Sequence, residues 1–160
     1  MLGLVYQGDL LKSASVAYIH YLSFMICFGA LIYERISLKV DPNRKEAISM
    51  VLSDIIYGIA GIALLISGIY RVIKFGQGSE FYTQNPIFWT KIIVFALVGS
   101  LSLYPTITYV LWSIPLSKGT LPQVKENLVS RLRLIINIEL VGFASIPFLA
   151  TLMARGVGLV

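Results

Sequence analysis

Three ionisable side chains stand inside runs that are otherwise almost wholly apolar: His20 in SASVAYIHYLSFMICFGALIY, Asp54 in ISMVLSDIIYGIAGIALLISGIY and Glu139 in LRLIINIELVGFASIPFLATLM. A charged group in hydrocarbon costs about 2.5–3.5 kcal/mol even on insertion scales, so each needs a physical reason. A neutral imidazole offers one donor and one acceptor, and its free nitrogen can ligate iron or copper. A hydrogen bond from His20 to a neighbouring helix would serve equally well. The residues that share its helical face, Val16, Ala17, Ser23, Phe24 and Cys27, mix small, aromatic and weakly polar groups. Such a lining suits either close helix packing or a flat ligand. Asp54 and Glu139 lie about six and about seven residues in from the same membrane face, hence at similar depth. If their helices adjoin, the two carboxyls could share or relay a proton. Alternatively, either acid pairs with Arg35, Arg131 or Arg133 reaching down from the surface.

The elements that must carry these groups are membrane helices. The 160-residue chain is 57% hydrophobic and 13% charged, with a mean hydropathy of +0.81, outside the charge content of soluble domains. A hydrocarbon core of about 30 Å needs about 20 apolar helical residues. Four segments supply them, over 13–33, 48–70, 88–114 and 132–153. The expected fold is all-α, a polytopic four-transmembrane-helix bundle with both termini on the same side and residues 1–160 forming one such domain. The first segment has no short basic start, exceeds a signal peptide's apolar length and lacks a small-x-small cleavage site, so it reads as a true span. Lys and Arg favour the first and third loops: Arg35, Lys39, Arg44 and Lys45, then Lys118, Lys125, Arg131 and Arg133. Lys12, Arg71, Lys74, Lys91 and Arg155 lie on the other side. Positive-inside orientation therefore places the termini outside the cytoplasm, or in a lumen.

The remaining motifs narrow the chemistry. Cys27 is the one cysteine, so no intramolecular disulfide forms, and it reads as a small buried apolar side chain. No CxxC pair, CxxCH or phosphate-binding glycine motif occurs. The net charge of +5 gathers beside the spans, where anionic lipid head groups account for it and nucleic acid is not needed. Asp54, Tyr57, Gly58, Gly61, Leu65 and Gly68 share one helical face, as in close helix contacts between membrane spans. Pro105 and Pro147 fall inside spans and predict kinks, with Tyr104, Thr106, Thr108 and Tyr109 available to satisfy freed carbonyls or to line a cavity.

Between the second and third spans, KFGQGSEFYTQNPIFWTK (74–91) is more elaborate than a turn requires. Gly76 and Gly78 permit unusual backbone geometry, Pro86 restricts Asn85, and Asn85 can bond nearby backbone, so the loop reads as folded. A compact loop would hold Arg71, Lys74 and Lys91 as a basic rim above the depth of His20. Haem b ligated by His20, with propionates on Arg71 and Lys91, fits those dimensions. So does a cap in which Glu80 neutralises Arg71 or Lys91.

The stretch from Ser53 to Lys91, with Gly68-x-x-Arg71 and the Tyr82 to Lys91 pattern Y-x-x-N-P-x-F-W-x-K, resembles the DUF2214 family of bacterial and cyanobacterial membrane proteins. The likeness extends over His20, LYPTITYVLW at 103–112 and MARG at 153–156. It implies a bacterial inner membrane or a cyanobacterial thylakoid or plasma membrane. More distantly the chain resembles the HemJ-type protoporphyrinogen oxidases, which bind haem b, and the CopD-type copper proteins. By position, the essential early histidine of the HemJ type falls on His20, while that group's later lysine and tryptophan surroundings are not reproduced. Copper is disfavoured because Met25, Cys27 and Met50 form no repeated soft-ligand motif. The reading that follows is a haem b redox protein in which His20 holds the metal, and Asp54 and Glu139 handle protons. Porphyrinogen oxidation is its most concrete enzymatic form. With one histidine per chain, the second axial ligand would be water, a side chain such as Met153, or the same imidazole in a homodimer. The alternative is a non-catalytic assembly or accessory subunit of a larger membrane complex.

Overall fold

The computed structural model describes residues 2–75 and 79–158. Among them the helices are α1 (Leu2–Ser37), α2 (Arg44–Lys74), α3 (Ser79–Thr83), α4 (Pro86–Ser117) and α5 (Glu126–Ala154), and no strand occurs. All but α3 are long and apolar enough to cross a membrane. Each runs past the apolar stretch that marks it in the sequence, and Pro105, Pro115 and Pro147 lie inside helices that continue beyond them. The 36 residues of α1 and 32 of α4 span about 54 and 48 Å, against about 30 Å of hydrocarbon.

The stops are built from the sequence. Asp41, with φ of 50°, turns the chain after α1, and Pro42 is buried in the turn. Asn43 then opens α2 with a reciprocal cap, its side chain accepting from Glu46 N at 3.0 Å while Glu46 Oε2 accepts from Asn43 N at 2.8 Å. The other Glu46 oxygen accepts from Lys39 Nζ at 2.8 Å, so one carboxylate braces both sides of the turn. Asn85 opens α4, accepting from Ile87 N at 2.9 Å with Pro86 as the first helical residue. Its amide also donates to Val157 O at 3.2 Å, tying the start of α4 to the chain beyond α5.

The helices pack as two antiparallel pairs, α1 with α2 and α4 with α5. Lighter contacts of α2 with α4 and α1 with α5 close the ring, and no close backbone approach occurs across either diagonal among the described residues. One end of the bundle carries the α1–α2 and α4–α5 turns; the other carries both termini and α3. Close approach of α4 to α5 depends on Gly142, where a Cβ would meet Val98 Cγ2 at 2.5 Å. The buried core gathers toward the turn end, with Leu31, Leu38, Met50, Tyr109, Trp112, Leu132 and Ile136 all within it. Outward faces are apolar, as the row Ile55, Ile59, Ile62, Ile66, Ile69 and Ile73 on α2 illustrates. Lipid is as apolar as these side chains, so nothing drives them inward.

The glycine face of α2 divides. Gly58 and Gly61 have open space where a Cβ would be, whereas at Gly68 a Cβ would lie 3.1 Å from His20 Cε1. The tight side of α2 is instead Ala47, Met50, Ser53, Asp54, Tyr57, Ala60, Leu64 and Ser67. Thr106 and Tyr109 turn inward, while Thr108 donates to Tyr104 O at 2.8 Å and Tyr104 is exposed.

Candidate functional site

Two polar layers interrupt the apolar interior. The layer nearer the termini centres on His20, half-buried on α1 against α2. Its Nδ1 lies 3.2 Å from Leu64 O and 3.1 Å from Ser67 Oγ. The Ser67 hydroxyl donates to Ala63 O at 2.6 Å, so the network assigns the imidazole proton to Nδ1, donating to Leu64 O. Nε2 makes no hydrogen bond among the described residues and keeps its lone pair. Gly68 permits this seat, since any side chain there would press on the ring.

Two cations border that layer. Arg71 donates to Tyr21 OH at 3.2 Å, with its guanidinium 4.9 Å from the Tyr21 ring centre. Lys91 lies 5.3 Å from the Phe88 ring centre. Arg71 and then Lys91 exert their charge on His20. Among the described residues neither forms an ion pair with Glu80; the ion pairs are Lys12 with Asp9 and Lys39 with Glu46. The connecting loop is folded through α3, through Trp89 Nε1 donating to Thr83 O at 2.9 Å, and through ring contacts that run from Phe81 over Tyr82 and Phe88 to Trp89. The expected roles of Gly76 and Gly78 lie outside the described residues.

About three to four helical turns further in lies the second layer, to which all four long helices contribute. Asp54 on α2, 6% exposed, accepts from Thr106 Oγ1 on α4 at 2.7 Å. Glu139 on α5 is 0% exposed, and neither carboxyl oxygen has a hydrogen-bond partner. Glu34 on α1 is 1% exposed and its Oε1 is likewise unpartnered. Tyr109 on α4 is fully buried with its hydroxyl unpartnered. Glu34, Asp54 and Glu139 all act electrostatically on Tyr109, and Asp54 acts on Glu139, so the four groups lie within electrostatic reach of one another inside the bundle. Asp54 and Glu139 stand on helices diagonal to each other and not along a helix seam.

The arginines offered by the sequence as partners for these acids go elsewhere. Arg35 Nε donates to Asn137 Oδ1 at 2.6 Å, and Arg133 Nη2 donates to Leu38 O at 2.9 Å. Arg131 is exposed. An uncompensated buried carboxylate costs several kcal/mol, so the layer requires counter-charge of another kind.

Between the layers the interior is aromatic. Phe24 stacks on Phe143 at 5.1 Å and on Phe28 at 6.3 Å, with Tyr57 6.3 Å from Phe143. Cys27 is buried beside Tyr57, its thiol 3.7 Å from Tyr57 O.

Glu34 is the member of the inner layer that the sequence reading passed over, because the apolar run of α1 ends at Tyr33. The signal was periodic: His20, Ser23, Cys27, Leu31 and Glu34 follow one face at spacings of three and four. A family model described as "Predicted membrane protein (DUF2214)" matches residues 12–158. No curated protein and no solved structure matches the chain.

Proposed function

The chain belongs to the DUF2214 family of predicted membrane proteins, and from that premise we propose that it is an integral membrane redox protein that takes haem b on His20. The observation that carries this reading is the seat of the imidazole. Metal-ligating histidines ordinarily donate their other ring N–H to a carbonyl or carboxylate, which fixes the tautomer and the ring plane. His20 does so through Nδ1 to Leu64 O, leaving Nε2 as the ligating atom. Arg71 and Lys91 supply two cations, unpaired with acids among the described residues, for the two carboxylates of such a pigment. The donor set therefore fits haem b, and His20 is partly exposed on a flank that lipid or a second copy would cover. When bound, haem supplies one-electron chemistry. The chain's own residues orient it through His20, anchor its acid arms through Arg71 and Lys91, and hold compensating protons on Asp54 and Glu139.

Purification in mild detergent followed by a reduced-minus-oxidised visible spectrum tests the reading. Expected are b-type bands in the wild type that vanish in His20→Ala at equal yield of folded protein. A folded wild type that stays colourless after reconstitution with haem refutes it.

One observation favours the second reading, a non-catalytic subunit of a larger membrane complex: Gly58 and Gly61 are open to a neighbour outside the chain. That reading expects co-migration with a stable heterologous partner in native gels. Migration solely as an isolated bundle counts against it.

A further inference from the structure

We propose that Glu34, Asp54, Glu139 and Tyr109 form one proton-binding site inside the bundle. For Asp54 and Glu139 this rests on and deepens the proton role given above; it does not depend on any pigment at His20.

An ionised carboxylate only accepts, whereas a protonated one also donates. Both oxygens of Glu139 and Oε1 of Glu34 lack donors, and the Tyr109 hydroxyl, fully buried and unpartnered, lies within electrostatic reach of all three acids. Protons added to these carboxyls provide the missing donors, which the acids and the phenol can then share.

Around the acids stand Cys27 on α1 and Tyr57 on α2, and the arginines nearest to them in sequence are Arg35, beside Glu34, and Arg133 on α5. The two arginines are spent on Asn137 and the Leu38 carbonyl, and Tyr57 and Cys27 bring no positive charge. No group of three His, Cys, Asp or Glu side chains among the described residues is arranged to hold a metal ion. The counter-charge that remains is the proton.

Infrared spectroscopy of the purified, pigment-free protein reads the site directly. At neutral pH the wild type should show a protonated-carboxyl C=O stretch that shifts down on transfer to D2O. Glu34→Gln, Asp54→Asn and Glu139→Gln should each lose part of that band. Tyr109→Phe, which removes only a hydroxyl, should shift it, and keeps the test open if an acid variant fails to fold. His20→Ala should leave the band intact, so loss of the haem signal and loss of the proton site are separable. No band in the wild type, a band unchanged in every cluster variant, a band indifferent to D2O, or a band abolished by added sodium would each overturn the proposal.

Discussion

Replacing Gly68 by alanine tests the seat of the imidazole, on which the redox reading depends. The new Cβ would lie 3.1 Å from His20 Cε1 and 3.6 Å from Nδ1, inside the roughly 3.5–4.0 Å of relaxed carbon contacts. The α1 and α2 backbones are fixed by packing along their length, so the ring moves, and its Nδ1 contacts at 3.1 and 3.2 Å are stretched. A neutral hydrogen bond contributes about 0.5–1.5 kcal/mol. Alanine is better than glycine in a helix interior by about 0.8–1.0 kcal/mol, so Gly68→Ala alone should leave stability nearly unchanged. The information lies in the double-mutant cycle. In a His20→Ala background the clash is absent, and the same change should stabilise by the full helical preference, giving a coupling of about 1 kcal/mol between the two positions. Unfolding of the four proteins in mixed micelles, titrated with a denaturing detergent, measures it. Strict additivity, to within about 0.3–0.5 kcal/mol, would mean that the ring does not rest on Gly68 and would remove the basis for a ligating Nε2.

Three further substitutions probe the frame around the two layers, each read by the same unfolding titration. Gly142→Ala drives a methyl into Val98 Cγ2 at 2.5 Å and should cost about 1–3 kcal/mol, with part of the loss recovered by adding Val98→Ala. Thr106→Val removes the donor to Asp54 at 2.7 Å and should cost about 1–3 kcal/mol because a buried acceptor is orphaned, whereas Thr106→Ser should be nearly neutral. Asn43→Ala breaks the reciprocal cap with Glu46 and should cost about 0.5–2 kcal/mol.

The four long helices were legible in the sequence because apolar length against membrane thickness is a strong, local signal. Their ends were not, since Asn43, Asn85 and the residues past each apolar run set them through capping, which hydropathy does not register. The depth of Asp54 and Glu139 could be counted from a shared membrane face. That their helices stand diagonal to each other in the bundle could not, because helix adjacency is a matter of packing. Glu34 was missed for a related reason: a span boundary drawn at Tyr33 discards an acid that one more helical turn would have placed on the face of His20 and Cys27. Gly58 and Gly68 share a sequence pattern, yet one meets open space and the other an imidazole. Spacing assigns a face, and only a neighbour assigns its use. The aromatic loop at 79–91 was recognisable as ordered from Asn85-Pro86, while the bond from Asn85 to Val157 joins positions too distant for any local rule.

The stacked rings of Phe24 and Phe143 carry a consequence for traffic through the molecule. His20 and Glu34 stand 14 residues apart on α1, about 21 Å at 1.5 Å each, and the rings between them are interspersed with the polar side chains of Ser23, Cys27 and Tyr57. That length keeps the imidazole and the acids out of direct contact, so a group held on one would reach the other only through the side chains that lie between.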